Sequence, residues 1–264
     1  MSVALERPTD YARRARRARD LAERYEHAAE PLTLYGALLD AQAAAFERAR
    51  EDRPRADELA AYVVRVALPG VMEATMTAGT ELLREAALLR FHDGDLDAIV
   101  AAWLRGDEQT PTDTYLARAA AAPVLEALPD AAAGLRGRES DDRHCPVCGG
   151  LPQLAVFTET GEALVTGERR LVCSRCMTEW RYARMTCASC GETGGANMPI
   201  LLDPERLPHV RADACDACHR YLLTIDMRRE PRAVPIVDEV AGLPLDLIAA
   251  ERGYAKITPN VMGF

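Results

Sequence analysis

Lysine is almost missing from this chain: Lys256 is the only one, and every other basic side chain apart from histidine is an arginine. Read together with the alanine excess, this is a compositional bias more than a functional signal. Aromatic residues are also scarce, at 5% of 264 residues against a hydrophobic share of 48%, so much of the apolar content is alanine and packs weakly. Positive charge is not in surplus anywhere. Residues 1–138 carry 18 basic and 23 acidic side chains, net −5, and residues 139–264 carry 14 and 18, net −4, which together make the −9 of the whole chain. Neither half would be drawn to a polyphosphate backbone, which argues against nucleic acid as a partner. Long apolar runs are lacking too, since charges interrupt each one short of the ~18 residues that a spanning helix needs. The pairs Arg13-Arg14 and Arg16-Arg17 are followed by Asp20, Glu23, Arg24 and Glu26 where an export signal would need an apolar segment. A cytoplasmic protein without membrane insertion is expected. The chain has no phosphate loop, dinucleotide fingerprint, nucleophile elbow or His-Glu-x-x-His, and His27, His92 and His209 are isolated from any nucleophile, so no catalytic constellation is expected.

What is present divides near residue 140. Up to Arg138 there is no cysteine, and apolar residues recur at helical spacing. Tyr11, Ala15, Ala18, Ala22 and Tyr25 mark one face of a first helix, capped by Thr9 or Asp10, with Arg13, Arg14, Arg16, Arg17 and Asp20 on its other side. That basic side reads as a solvated face, or as a grip for an acidic partner. Further helices are expected over about 32–50, 57–68, 71–91, 95–103 and 112–128, with Pro123 a kink or boundary in the last. Short connections between them imply a bundle over residues 1–138. Gly134 to Asp142 reads as a linker. Strand-length pieces follow at 154–158, 163–166, 170–172, 179–183, 198–202 and 221–225, and helical character returns over 236–252, where Pro244 bends or divides the helix.

All eight cysteines lie in four Cys-x-x-Cys pairs: Cys145 and Cys148, Cys173 and Cys176, Cys187 and Cys190, Cys215 and Cys218. Each cysteine of the first two pairs recurs 42 positions later, as Cys145 to Cys187 shows, so the spacing is duplicated. Disulfides rarely persist in a reducing compartment, and the chain is long enough to bury a core without them. Two four-sulfur metal sites are therefore expected, Cys145/Cys148/Cys173/Cys176 and Cys187/Cys190/Cys215/Cys218, because two intervening residues let a tight turn aim both sulfurs at one ion. Pairing Cys173/Cys176 with Cys187/Cys190 instead would strand the outer pairs. Gly149 and Gly191 can take the positive φ that closes such a turn, while Met177 and His219 stand at the equivalent places in the second pairs, so those turns are expected to close differently. The segment between pairs suits the β-hairpin of a zinc ribbon or rubredoxin. The donor set accepts zinc as a structural ion or iron as a one-electron centre. His144 and His219, each beside a cysteine, are substitute ligands or donors to the sulfurs. Arg169, Arg170, Arg175, Arg181 and Arg184 offset the charge of a metal tetrathiolate or form a docking surface, and Trp180 reads as a packing residue.

These residues resemble a known family. Cys145-Pro146-Val147-Cys148-Gly149-Gly150-Leu151-Pro152, Cys173-Ser174-Arg175-Cys176-Met177-Thr178-Glu179-Trp180-Arg181 and Arg184-Met185-Thr186-Cys187 are similar to the formate dehydrogenase accessory protein family, FdhE. So are Asp10 to Ala15, Ala41-Gln42, Tyr221-Leu222, Leu245-Asp246-Leu247 and Glu251 to Tyr254, while Pro244 and the end Asn260 to Phe264 depart from its pattern. The resemblance implies an α+β protein: an all-α N-terminal bundle, residues 1–138, then residues 139–264 with two tandem rubredoxin-like or zinc-ribbon modules, 145–176 and 187–218, and a C-terminal helix. It further implies a cytoplasmic maturation protein, not an enzyme, that binds the molybdenum- or tungsten-containing catalytic subunit of formate dehydrogenase, with iron as the associated metal. A one-electron redox protein built on Fe(Cys)4 centres and a zinc-ribbon nucleic-acid binder are the alternatives.

Overall fold

The computed structural model describes residues 10–137, 141–158 and 167–264. The expected strand at 163–166, residues 138–140 of the expected linker and Thr9 lie outside the described residues. Helix α1 (Tyr11–Arg24) starts at Asp10, whose carboxylate accepts the Arg13 N–H at 2.8 Å. It packs along α2 (Ala29–Asp52), the longest helix, which carries Pro31 in its first turn, where a missing N–H costs nothing. Helices α3 (Leu59–Val66) and α4 (Leu68–Ala78) follow, then α5 (Glu81–Asp93), α6 (Leu96–Arg105), α7 (Pro111–Ala127) and the short α8 (Pro129–Ala133).

The structure corrects three sequence expectations here. A single helix over 71–91 is instead two, because Gly79 ends α4 and Thr80 caps α5 by accepting the Leu83 N–H. An 18-residue window within 56–78 is apolar enough to match a membrane span despite Arg65 and Glu73, but the helix breaks at Ala67 and half of the window is buried inside the bundle. The basic side of α1 is a solvated face only in part, with Arg13, Arg16 and Asp20 exposed. Arg14 forms a pair of hydrogen bonds with Glu126 of α7, and Arg17 is buried.

Helix α7 is the axis of the bundle, with buried residues on every side from Asp113 to Leu125. Its run of alanines lets α2, α4 and α6 approach closely. Pro123 does not end it, since α7 continues to Ala127. The proline has no N–H for the Ala119 carbonyl, and the Gln42 side chain of α2 donates to that carbonyl instead, at 2.9 Å.

Among the described residues, the second half forms a single mixed sheet of seven strands: β1 (Pro152–Thr158), β2 (Glu168–Cys173), β3 (Glu179–Arg181), β4 (Ile200–Leu202), β5 (Val210–Cys215), β6 (Arg220–Asp226) and β7 (Ala255–Lys256). Strand β5 was not expected, since Ala212, Asp213 and Ala214 are poor strand formers, and two-residue β7 gave no signal. The order is β3-β2-β1-β6-β5-β4, with β1 and β6 parallel and all other pairs along this path antiparallel. The cysteine interval of 42 is also a register: Leu171 faces Trp180, and Asp213 faces Leu222. In each ribbon the first strand lies beside the second on the side away from the third, so the two ribbons follow one another in the same sense. They are related by a shift along the sheet, not by a twofold axis.

Helices α9 (Pro235–Ala241) and α10 (Leu243–Glu251) form the C-terminal helical segment, divided at Gly242. A Cβ at Gly242 would lie 2.7 Å from the Leu223 side chain, so only glycine allows this close turn against β6. Helix α9 sits between α1 and α2 on one side and β1 and β6 on the other, and one contiguous apolar cluster runs from Tyr11 to Ile257.

Candidate metal centres

Each Cys-x-x-Cys pair forms the same tight turn. The amide of the leading cysteine donates to the carbonyl five residues on: Cys145 to Gly150, Cys173 to Thr178 and Cys187 to Glu192, at 2.8–2.9 Å, with Cys215 opposite Arg220 in the β5–β6 ladder. Such a turn needs one residue in the left-handed region. Gly149 (φ 72°) and Gly191 (φ 82°) supply it in the first pair of each ribbon. The second pairs close the same way without glycine, for Met177 has φ 59° and His219 has φ 53°. Amides inside the turns point at sulfur: Arg175 N–H donates to Cys173 Sγ and Ser189 N–H to Cys187 Sγ, each at 3.4 Å.

The turns bring the sulfurs into two groups, Cys145/Cys148/Cys173/Cys176 and Cys187/Cys190/Cys215/Cys218, each with all its sulfurs within 4.8 Å of one another. The pairing of Cys173/Cys176 with Cys187/Cys190 does not form. In the first group Cys145–Cys176, Cys148–Cys173 and Cys148–Cys176 lie 3.4–3.7 Å apart, and in the second Cys187–Cys218 and Cys190–Cys215 lie 3.7–3.8 Å apart. Metal–sulfur bonds of ~2.3 Å in a tetrahedron put sulfurs ~3.8 Å apart, whereas a disulfide needs ~2.05 Å. All eight cysteines are free thiols, and each group could hold a metal ion. Mutual hydrogen bonding pulls Cys145 down, through Cys148 first, and pushes Cys173 up, through Cys145 first. Burial pushes Cys215 of the second group up to about 12. Since β2 and β5 run in the same direction and are three strand spacings apart, both groups lie at the same end of the sheet, on the order of 15 Å from one another.

The residues around the groups are mostly otherwise engaged. His144 pairs with Asp141 (2.6 Å), and the His219 ring lies 6.3 Å from that of Tyr254, so neither belongs to a sulfur group. Trp180 is buried and donates its indole N–H to the Asp142 carbonyl, a packing role. Of the arginines expected to offset tetrathiolate charge, Arg170 bonds Glu168 and Glu179, Arg181 bonds Glu168, Arg169 reaches the Thr186 carbonyl and Asp213, and Arg184 lies over Phe157. Arg175 alone stays by the first group, its guanidinium 5.8 Å from the Trp103 ring of α6.

A second set of functional-looking residues went unnoticed in the sequence. Beneath the sheet, Lys256 lies 2.8 Å from Glu239 and 3.2 Å from Asp246, Tyr221 donates to Asp246, and Arg118 of α7 reaches Glu239 through Gln153. Beside them Asp238 accepts from Arg17, from His209 at 2.8 Å and from the Val234 N–H. The sequence signal was there: acidic residues bracketed by apolar ones in Val237-Asp238-Glu239-Val240 and Leu245-Asp246-Leu247, and a solitary lysine. These groups are charge-paired and tie the helical layer to the sheet.

Comparison with known proteins gives a consistent picture. Residues 144–184 match the model of the FdhE central domain and residues 185–262 that of the FdhE C-terminal domain, so the division falls between the two sulfur groups. The chain is similar to an FdhE homologue of Aquifex aeolicus, 35% identical over 121 residues, which are 46% of this chain and 42% of that protein. It is also similar to an FdhE homologue of Stutzerimonas stutzeri, 36% identical over 129 residues, 48% of this chain and 40% of that one. The matched stretch thus spans less than half the length of these relatives. The crystal structure of the FdhE protein from Pseudomonas aeruginosa shares the fold over 96% of this chain and 95% of its own, with a TM-score of 0.67 and 24% identity.

Proposed function

Over residues 144–262 this chain belongs to the FdhE family, and from that premise we propose that it is a cytoplasmic accessory protein needed for active formate dehydrogenase. In this reading it has no catalytic role of its own. All eight cysteines, Cys145, Cys148, Cys173, Cys176, Cys187, Cys190, Cys215 and Cys218, bind two metal ions, iron or zinc. The observation that carries it is the pair of four-sulfur groups held at one end of one sheet, inside the stretch that matches the family. Metal bound there would fix the turns and hold the ribbons in one orientation, contributing on the order of 10 kcal/mol per site to folding. The catalytic subunit of formate dehydrogenase would dock on a surface shared by the ribbons of 139–264 and the bundle of 1–138.

Deleting the gene and purifying the tagged protein under reducing conditions tests this. Loss of formate dehydrogenase activity and recovery of its catalytic subunit support the reading. Unchanged activity with no subunit recovered overturns it.

A second reading draws on the exposure of Cys190. With iron bound, a solvent-facing four-sulfur centre could pass one electron to the client. A red oxidised protein bleached by dithionite would favour it, and a colourless protein holding only zinc would remove it.

A further inference from the structure

The two sulfur groups share a spacing and a turn geometry but not an environment. Cys145, Cys148, Cys173 and Cys176 are all buried, none more than 6% exposed. Their turns are wedged against the helical layer. Arg136, beyond α8, donates to the Pro146 carbonyl at 2.9 Å and packs beside Gly149. Arg175 spans from the second turn to Trp103 and Gly106 at the end of α6. Met177 reaches the small pocket lined by Tyr35 and Arg118. Gly150 is closely covered, since a Cβ there would lie 3.1 Å from both Cys173 Sγ and the Arg175 side chain.

The other group has no such cover. Cys187 and Cys215 are buried, but Cys190 is exposed and Cys218 half-buried. Those two sulfurs interact with one another, so they form one edge of the sulfur tetrahedron, and that edge faces solvent. A Cβ at Gly191 would meet nothing within 4 Å, in contrast to Gly149 under Arg136. Around this turn Arg143 donates to the Ser189 carbonyl and Tyr254 to Asp216, contacts that hold the backbone and leave the outer sulfurs uncovered.

Replacing a thiolate at a four-coordinate ion requires an incoming ligand to approach between two sulfurs, or a sulfur to swing away. Burial opposes both, and exposure permits both. We propose that the two centres have different duties: the Cys145/Cys148/Cys173/Cys176 centre keeps its ion for the life of the fold, while the Cys187/Cys190/Cys215/Cys218 centre exchanges its ion with external ligands across the Cys190–Cys218 edge. The inference rests on the reading of both groups as metal sites. It assigns any transfer of metal to or from a thiol- or imidazole-bearing acceptor to the second centre alone.

The test uses full-length protein loaded with zinc and challenged with excess EDTA in the presence of N-ethylmaleimide, with released zinc and labelled cysteines followed together. Two release phases of one equivalent each are expected, the fast one about tenfold or more above the slow, as local opening of an exposed site precedes that of a buried one. Peptide mapping should place the early labels on Cys187, Cys190, Cys215 and Cys218. Cys190→Ser should abolish or accelerate the fast phase and leave the slow one unchanged. Labels appearing first on Cys145 or Cys148, or both equivalents leaving in one phase with all eight cysteines labelled together, would overturn the inference. A protein that never holds zinc, iron or cobalt would instead overturn the metal reading beneath it.

Discussion

Arg17 and Asp238 stand 221 positions apart and meet in a two-pronged ion pair, with Arg17 Nε donating to Asp238 Oδ2 at 3.0 Å. The arginine is 8% exposed and the aspartate not at all. The pair joins α1 to α9, so the amino-terminal helix is fastened to the element that covers the sheet. Removing one partner strands the other charge in the interior, which costs about 3–5 kcal/mol. Arg17→Ala should therefore lower the urea midpoint strongly, whereas Arg16→Ala, at a side chain 61% exposed on the same helix, should barely move it.

Asp238 and its neighbour Glu239 should respond to acid in opposite ways. Burial pushes the Asp238 carboxyl up, but hydrogen bonds from His209 and Arg17 outweigh it and hold the group below its ordinary 3.8. Its stabilising contribution is present above that value and lost as pH falls through the lower folded value. Glu239 is raised above 4.5, because its complete burial outweighs Lys256. Its ionisation weakens the fold near neutrality, and that penalty is relieved as pH falls through the raised value. Urea midpoints across an acid titration should show Asp238→Asn flattening the acid limb of the stability curve, with Glu239→Gln narrowing its gap from the parent as pH drops.

The turn residues allow a test of backbone conformation. Gly191 has φ 82° and open space around it, so Gly191→Ala adds only the left-handed backbone penalty, about 1–2 kcal/mol. His219→Gly at φ 53° should act in the reverse direction, gaining up to about 1 kcal/mol. Thermal unfolding of the metal-loaded variants measures both.

Cys173→Ser and Cys215→Ser should each remove one of two bound metal equivalents, read by elemental analysis. The structural cost should differ. Cys173 lies at the centre of the buried group, and its loss is expected to loosen the contacts of Arg175 and Arg136 with the helical layer, visible as faster amide exchange at α6. Loss of Cys215 should leave α6 protected.

The cysteine groups were legible because a metal site repeats fixed residue types at fixed spacing, and nothing else in the chain imitates Cys-x-x-Cys four times over. Helices and most strands were legible from apolar periodicity. Strand β5 was not, since Ala212-Asp213-Ala214 holds its place through pairing with β4 and β6 and not through its own preference. Arg14 and Arg17 deceived for a related reason. Periodicity assigns one apolar face to a helix, and it cannot reveal that the polar face meets Glu126 and Asp238 brought from far along the chain. The positive φ of Met177 and His219 was equally hidden, because a backbone imposed by four sulfurs overrides the side chain's own preference.

A repeat arranged by translation has a direction. Had the two ribbons been related by a twofold axis, their cysteine groups would have met matching surroundings and any third body would have seen two interchangeable docking poses. In the order β3-β2-β1-β6-β5-β4 the ends of the sheet are unlike: one terminates in β3, with Arg181 outward, and the other in β4, with Ile200 and Leu202 exposed. Each copy of the duplicated unit therefore occupies a position that the other can never occupy. A partner approaching this sheet would meet two unlike edges, and the two copies of the repeated ribbon stand in different surroundings.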